Sequence, residues 1–364
     1  MKKRIGIITI HTDFNYGAVL QAVASQKILE LNGYDAEIIN YENKNIAEQS
    51  KLIYKQDGKV KGYIITFIRN TLFGRYKYYK KATALLDDYR KLSDKKYKSI
   101  EDLSDTPYSV VISGSDQIWN PTISRGIDEV FLLQFGQNIK RISMSTSMGS
   151  YVLKNTEEVI FRNALRKFSH ISVREDFAKN QLKTLTDKEI KVLLDPTLLL
   201  NKKQWWDNFA KYSKYANKTE KYIVTYFVGG EKNKYKSAVR EYKEKLNLPV
   251  WTIQYSNYNW KESNKKILGA SILDFIALIA NADLVITDSF HGAAFSVNMG
   301  VDFISLTNTG NPVRVKEFLN KVDLNDRIDL PTNQFYKIDY SSVNLKLDEL
   351  RLDSIQWILN AIEQ

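Results

Sequence analysis

The sequence predicts an α/β chain of two domains, each built on a parallel sheet. Three observations lead there. At 364 residues the chain exceeds the size at which a single hydrophobic core keeps growing. Short apolar runs of strand length alternate with longer helical patterns from end to end. The first run, helix and run together read as a β-α-β unit, whose crossover makes its strands parallel.

Residues 3–10 read as a buried strand. Residues 18–32 read as a helix with Leu20, Val23, Ala24, Ile28 and Leu31 on its apolar face, stopped by Gly33. Residues 36–41 form a second strand, so 11–17 is the connecting loop. Further strands are predicted at 109–113, 141–147 and 170–173, and a helix at 175–185. Residues 192–196 close this half, and the polar run 201–203 is the candidate linker. A second series follows: strand 221–228, helix 233–246, strand 250–254, helix 271–281, strand 283–287, helix 291–299 and strand 302–306. Residues 313–321 and 347–362 read as helices. The expected division is 1–200, 201–345 and a C-terminal helix, 346–364, packing back on the first domain. Two such Rossmann-like domains leave a cleft between them, where the loops after the strand C-termini converge and substrates bind.

The chain has no cysteine, which excludes disulfides, thiolate metal ligands and a cysteine nucleophile. Its only histidines are His11, His170 and His291, too few for a histidine-rich zinc site, so a metal-free mechanism is expected. Met1-Lys2-Lys3-Arg4 precedes a short strand rather than a signal-peptide core, and no apolar run approaches the roughly 18 to 20 residues of a membrane span. A cytoplasmic protein is expected. The formal net charge is +11, and residues 51–100 hold fourteen Lys/Arg against four Asp, a net of +10. Tyr54, Tyr63, Phe67, Phe73, Tyr76, Tyr78, Tyr79 and Tyr97 are interleaved with those charges. This segment fits nucleic acid, an anionic membrane surface or an acidic substrate, and fits equally a pair of solvated amphipathic helices.

Four constellations can carry chemistry. Thr287-Asp288-Ser289-Phe290-His291-Gly292 joins a buried strand to a helix, a geometry whose free N–H groups bind phosphate; Gly292 permits close approach, Ser289 caps or donates, and His291 stands beside the anion. From spacing alone, a helix cap with a packing histidine reads equally well. Asn15-Tyr16-Gly17 occupies the equivalent loop of the first domain, where Asn15 and Tyr16 suit hydrogen bonding to and stacking on a sugar, or an ordinary turn. Gly114-Ser115-Asp116-Gln117-Ile118-Trp119-Asn120 combines small residues, a carboxylate, an amide and an indole, the set that sugar hydroxyls and ring faces need, with Asp116 able to act as base. Arg174, directly after a strand, can pair with carboxylate or phosphate, or with its neighbour Glu175. No G-x-G-x-x-G is present, so no dinucleotide is expected.

These residues resemble the polysaccharide pyruvyl transferase family. The matching motifs, in family order across residues 4–328, are Asn15-Tyr16-Gly17-Ala18-Val19-Leu20-Gln21, Gly114-Ser115-Asp116-Gln117-Ile118-Trp119-Asn120, Ser172-Val173-Arg174-Glu175, Leu194-Asp195-Pro196-Thr197, Ser289-Phe290-His291-Gly292 and Asn311-Pro312-Val313-Arg314. Some branches carry an acidic residue where this chain has Ala18. The resemblance implies a GT-B-like arrangement, with the acceptor on the first domain and the donor on the second. It implies transfer of pyruvate from phosphoenolpyruvate, a co-substrate, to two hydroxyls of one sugar, with no cofactor. Arg174, Arg314 and the helix start at Ser289–Gly292 would then hold the donor's anionic groups, His291 would be the acid or the phosphate's partner, and Asp116 would act on the sugar hydroxyls. The basic segment would face a lipid-linked diphosphate sugar and an anionic membrane, placing the protein at the membrane's inner face, with no nucleic acid expected. The rival readings are a GT-B glycosyltransferase using a nucleotide sugar and a non-catalytic basic binding protein on the same fold.

Overall fold

The computed structural model describes residues 3–12, 15–49, 67–68, 70–228, 233–257, 260–307 and 312–364. Asp13 and Phe14 of the first loop, Ser50, residues 51–66 and 69 of the basic segment, and Asn311 of the last motif lie outside the described residues.

The first sheet holds β1 (Arg4–Ile8), β2 (Asp35–Ile38), β3 (Val110–Ser113) and β4 (Lys140–Ser143) in the order β2-β1-β3-β4, all parallel. A parallel pair, β5 (Ile171–Val173) and β6 (Ile190–Val192), continues it through bridges from Ile142 to His170 and Thr146 to Val173. The second sheet holds β7 (Ile223–Tyr226), β8 (Val250–Gln254), β9 (Lys265–Leu268), β10 (Leu284–Thr287) and β11 (Phe303–Ser305), parallel in the order β11-β10-β7-β8-β9. Strand order reverses at β1 and at β7, so each domain has its own switch point, and ligands of such sheets bind at the strand ends there. The core residues of β1, β3, β7 and β10 are buried on both faces, as in parallel sheets covered on both sides.

The helices are α1 (Tyr16–Leu31), α2 (Lys44–Gln49), α3 (Arg75–Thr83), α4 (Pro121–Ser124), α5 (Asn155–Leu165), α6 (Asp176–Leu182), α7 (Pro196–Leu199), α8 (Lys202–Asn208), α9 (Asn233–Leu246), α10 (Ile272–Ala280), α11 (Phe290–Met299), α12 (Pro312–Lys321) and α13 (Tyr340–Glu363). The sequence pattern gives α1 one apolar face, yet it is buried nearly all round because it packs between the domains, against α7, α10 and α11. Its buried amide Gln21 is satisfied by the Thr9 hydroxyl and the carbonyls of Ile10 and Ala18. One apolar cluster therefore runs from Ile5, Ile7 and Ile112 of the first sheet to Val224, Val285 and Phe303 of the second.

Three expectations change. The strand predicted over 141–147 stops at Ser143, because Ser145 takes a positive φ of 54° that no ladder tolerates. The candidate linker at 201–203 is the start of α8, where the Asn201 side chain accepts from Gln204 N at 2.9 Å and Gln204 accepts from Asn201 N in return. The last helix starts at Tyr340, capped by Asp339, rather than at 347. It runs back across the first domain. Arg351 Nε donates to Leu198 O at 2.8 Å, Leu194 N donates to Ser354 Oγ at 3.1 Å, and Lys3 and Lys140 both donate to Ile362 O at 3.1 Å. The described part of the basic segment leans on the second domain: Asn257 N donates to Phe73 O at 2.8 Å and Lys81 to Leu268 O at 3.0 Å. No helix among the described residues is long and apolar enough to cross a membrane.

Candidate active site at the domain junction

A buried carboxylate, Asp195, organises the strand ends of the first domain. It follows β6, and its Oδ1 caps α7 by accepting from Thr197 N at 2.9 Å and the Thr197 hydroxyl at 2.6 Å. Its Oδ2 accepts from Ser115 Oγ at 3.2 Å and from Arg174 Nη1, and lies 3.7 Å from His291 Nε2. Burial pushes the Asp195 carboxyl up, but Arg174, His291 and Thr197 outweigh it and hold the group well below the usual carboxylate range. Arg174 mirrors this balance: burial opposes its charge, and Asp195, Glu175 and Asp116 raise it further. Glu175 is anchored through Oε1, which accepts from Ser147 Oγ at 2.8 Å, Met148 N at 2.7 Å and Gly149 N at 3.0 Å. Its Oε2 faces Arg174 Nε at 3.7 Å.

The second domain supplies the opposite wall. Phe290, at the start of α11, presents its ring to two guanidinium groups, Arg174 at 4.9 Å and Arg314 of α12 at 5.9 Å. Burial and the neighbouring Arg174 push Arg314 down to about 10. Arg174, Glu175, Asp195, Phe290, Arg314 and Lys321 line a small recess, floored by leucines and Phe318. Arg174 Nε and Nη2, Arg314 Nε, Glu175 Oε2 and His291 Nε2 have no hydrogen-bond partner among the described residues. A pocket in which two guanidinium groups each keep an uncommitted N–H donor suits an anion. Among the described residues, no group of three or more His, Asp or Glu side chains is placed to hold a metal ion.

The structure thus brings Arg174, Arg314, Phe290, Ser115 and His291 together. His291 is buried behind the recess, against Asp195 and Gly17, where a Cβ on Gly17 would lie 1.8 Å from its Nδ1. Asp116 stands at the strand end in a left-handed conformation (φ 70°), accepting from Gln117 N at 2.8 Å, near enough to act on both arginines. Such a conformation in a non-glycine residue costs about 1–3 kcal/mol and is held by its surroundings.

Several predicted contacts are corrected. Tyr16 cannot stack on a sugar: its ring is stacked with Tyr255 and Phe275, and its hydroxyl donates to Ala270 O at 2.8 Å. Trp119 is likewise core, donating to Phe131 O at 3.1 Å and meeting Phe161 and Phe168 edge-on. Asn15 caps α1 through Gly17 N and also accepts from the Tyr226 hydroxyl at 3.3 Å. Gln117 is tied to Asn120 at 2.9 Å. Gly114 and Gly292 make room for protein rather than ligand, because a Cβ would meet Thr9 at 2.9 Å and Thr287 at 2.4 Å. At the start of α11 the Ser289 hydroxyl accepts from Gly292 N at 3.4 Å, and Thr287 Oγ1 accepts from Ser289 N at 3.1 Å. The uncommitted donors are guanidinium groups rather than those N–H groups. Asp195, Glu175 and Lys321 were not among the candidate site residues. Asp195-Pro196-Thr197 carried a signal, a helix cap with proline at the first turn directly after a strand.

Both the tandem sheets and the recess between them define a GT-B-type protein. Solved structures of similar fold agree. UDP-GlcNAc 2-epimerase from Methanocaldococcus jannaschii, solved with UDP-GlcNAc and UDP, is 15% identical over 100% of this chain and 99% of its own, with a TM-score of 0.50. The glycosyltransferase SnogD from Streptomyces nogalater is 9% identical over 99% and 100%, also with a TM-score of 0.50. At these identities the likeness is one of fold. No curated protein sequence matches the chain significantly. The chain belongs to the polysaccharide pyruvyl transferase family, whose profile matches residues 15–310.

Proposed function

We propose that this protein moves pyruvate from phosphoenolpyruvate onto two hydroxyls of one sugar in a polysaccharide or lipid-linked precursor, forming a ketal and releasing phosphate. The observation that carries this reading is the pair of guanidinium groups, Arg174 and Arg314, sharing the Phe290 ring over a small recess with uncommitted N–H donors. Phosphoenolpyruvate carries a carboxylate and a phosphate on three carbons, and each group matches a cationic fork.

In the proposed reaction a proton adds to the methylene carbon of the enol, and a sugar hydroxyl adds at the neighbouring carbon as its own proton is withdrawn. The carbon–oxygen bond to phosphate then breaks, and the second hydroxyl closes the ketal, its proton leaving with the phosphate. His291, paired with Asp195, is the acid of this scheme or the partner of the departing phosphate. Asp116 orients the hydroxyls or accepts their protons. The net charge of +10 carried by residues 51–100 would favour an acceptor diphosphate and an anionic membrane.

Thermal unfolding with phosphoenolpyruvate and, separately, with UDP-GlcNAc tests the donor. Ligand at about 100 times its Kd adds about 2.7 kcal/mol of stability. Phosphoenolpyruvate is expected to stabilise the protein, and Arg174→Lys, which loses the planar fork, to abolish the effect. Stabilisation by UDP-GlcNAc alone would overturn the proposal. With an acceptor oligosaccharide, mass spectrometry should detect the added pyruvate, and His291→Ala should slow its appearance by about 10²- to 10⁴-fold.

A further inference from the structure

Arg314 is held beside another guanidinium group, which repels it, and α12 brings it there from the opposite domain. We propose that Glu317 is the residue that positions Arg314, by clasping the first turn of α6 across the domain junction. Arg314, Glu317, Phe318 and Lys321 are spaced as one stripe of a helix, three, four and seven residues along, so they face the same way. Three of the four line the recess. The fourth, Glu317, reaches the first domain: Oε2 accepts from Asp176 N at 2.9 Å and Oε1 from Phe177 N at 3.2 Å.

Both donors belong to the start of α6, where backbone N–H groups have no partner within the helix, so an anion from elsewhere fits there. The grip is short-ranged. Asp176 is two residues from Arg174, and Glu317 is one turn from Arg314, so the clasp fixes the two guanidinium groups relative to each other with little chain between. Lys321 adds a second contact across the junction, 3.6 Å from Asp176 Oδ2. Burial raises the Glu317 carboxyl, and the two N–H groups counter it. The clasp thus offsets the repulsion between Arg174 and Arg314 without occupying the recess, leaving their free donors for the substrate.

The ligand readout rests on the phosphoenolpyruvate proposal, so the test has a second arm that needs no ligand. The chain lacks cysteine, and Asn180 and Lys316 are exposed on α6 and α12. Spin labels at Asn180→Cys and Lys316→Cys report the distance between these helices. With Glu317 intact the distance distribution should be narrow, and Glu317→Ala should broaden it. In titrations with phosphoenolpyruvate, Glu317→Ala should weaken binding about tenfold, Glu317→Gln, which keeps one accepting oxygen, should weaken it less, and Glu317→Ala should add nothing to the loss caused by Arg314→Ala. An unchanged distance distribution, or losses that add independently of Arg314, would overturn the positioning role. If the wild-type protein ignores phosphoenolpyruvate while the distribution still broadens, the clasp stands and the donor proposal falls.

Discussion

Gly17 lacks a side chain because the His291 ring fills the space one would occupy. Gly17→Ala must push the ring off Asp195 or part α1 from α11, and overpacking of this kind costs roughly 1–3 kcal/mol. Urea unfolding should register that loss together with reduced turnover; a variant equal to wild type in both would mean the ring relaxes freely. His11 allows a different measurement. Burial, aided by Arg90, pushes it down to about 4. A folded-state value below the unfolded one means the unfolded chain binds the extra proton. The contribution of neutral His11 is therefore complete above pH 6.5 and is lost as pH falls toward 4, by roughly 3 kcal/mol for a shift of this size. Unfolding free energies of wild type and His11→Asn across that window should show the steeper slope in wild type, and equal slopes would contradict the assignment. Single residues were only half legible in the sequence. Tyr16 and Trp119 carried the composition of sugar platforms, and what makes them core is the arrival of Phe275, Tyr255 and Phe168 from far along the chain.

At the scale of elements the sequence spoke more clearly. Uninterrupted apolar runs such as Ile5, Gly6, Ile7 and Ile8 and the run from Leu284 to Ile286 identify strands covered on both faces, and the strand-to-helix turns after them mark the site. Two short strands, β6 and β9, escaped. β9, Lys-Lys-Ile-Leu, lies at a sheet edge with its lysines partly in solvent, so nothing in its pattern separates it from a loop. Residues 201–203 misled for a related reason, since a polar triplet reads as linker until Gln204 is seen to complete a reciprocal cap. That cap is measurable: Asn201→Ala should lower stability by about 1 kcal/mol in thermal unfolding, whereas a linker residue would tolerate the change without loss.

For the whole molecule, the apolar cluster that crosses from one sheet to the other has a calorimetric signature. Two domains joined by a flexible linker would unfold in two steps. A core shared by α1, α7, α10 and α11 should unfold in one, with calorimetric and van't Hoff enthalpies equal, and two resolved transitions would show that the junction is only a contact between finished cores. The tandem-domain plan was legible because strand and helix alternate regularly. The fusion of the cores was not, because an apolar helix looks the same whether it covers one sheet or two. The return of α13 carries a final consequence. Leu194 N and Leu198 O, at the end of the first domain's own sheet and in the helix that follows, are met by Ser354 and Arg351. During synthesis those partners are still unmade when the first domain emerges from the ribosome, so the half of the protein translated first is the half that must wait for the last helix to be finished.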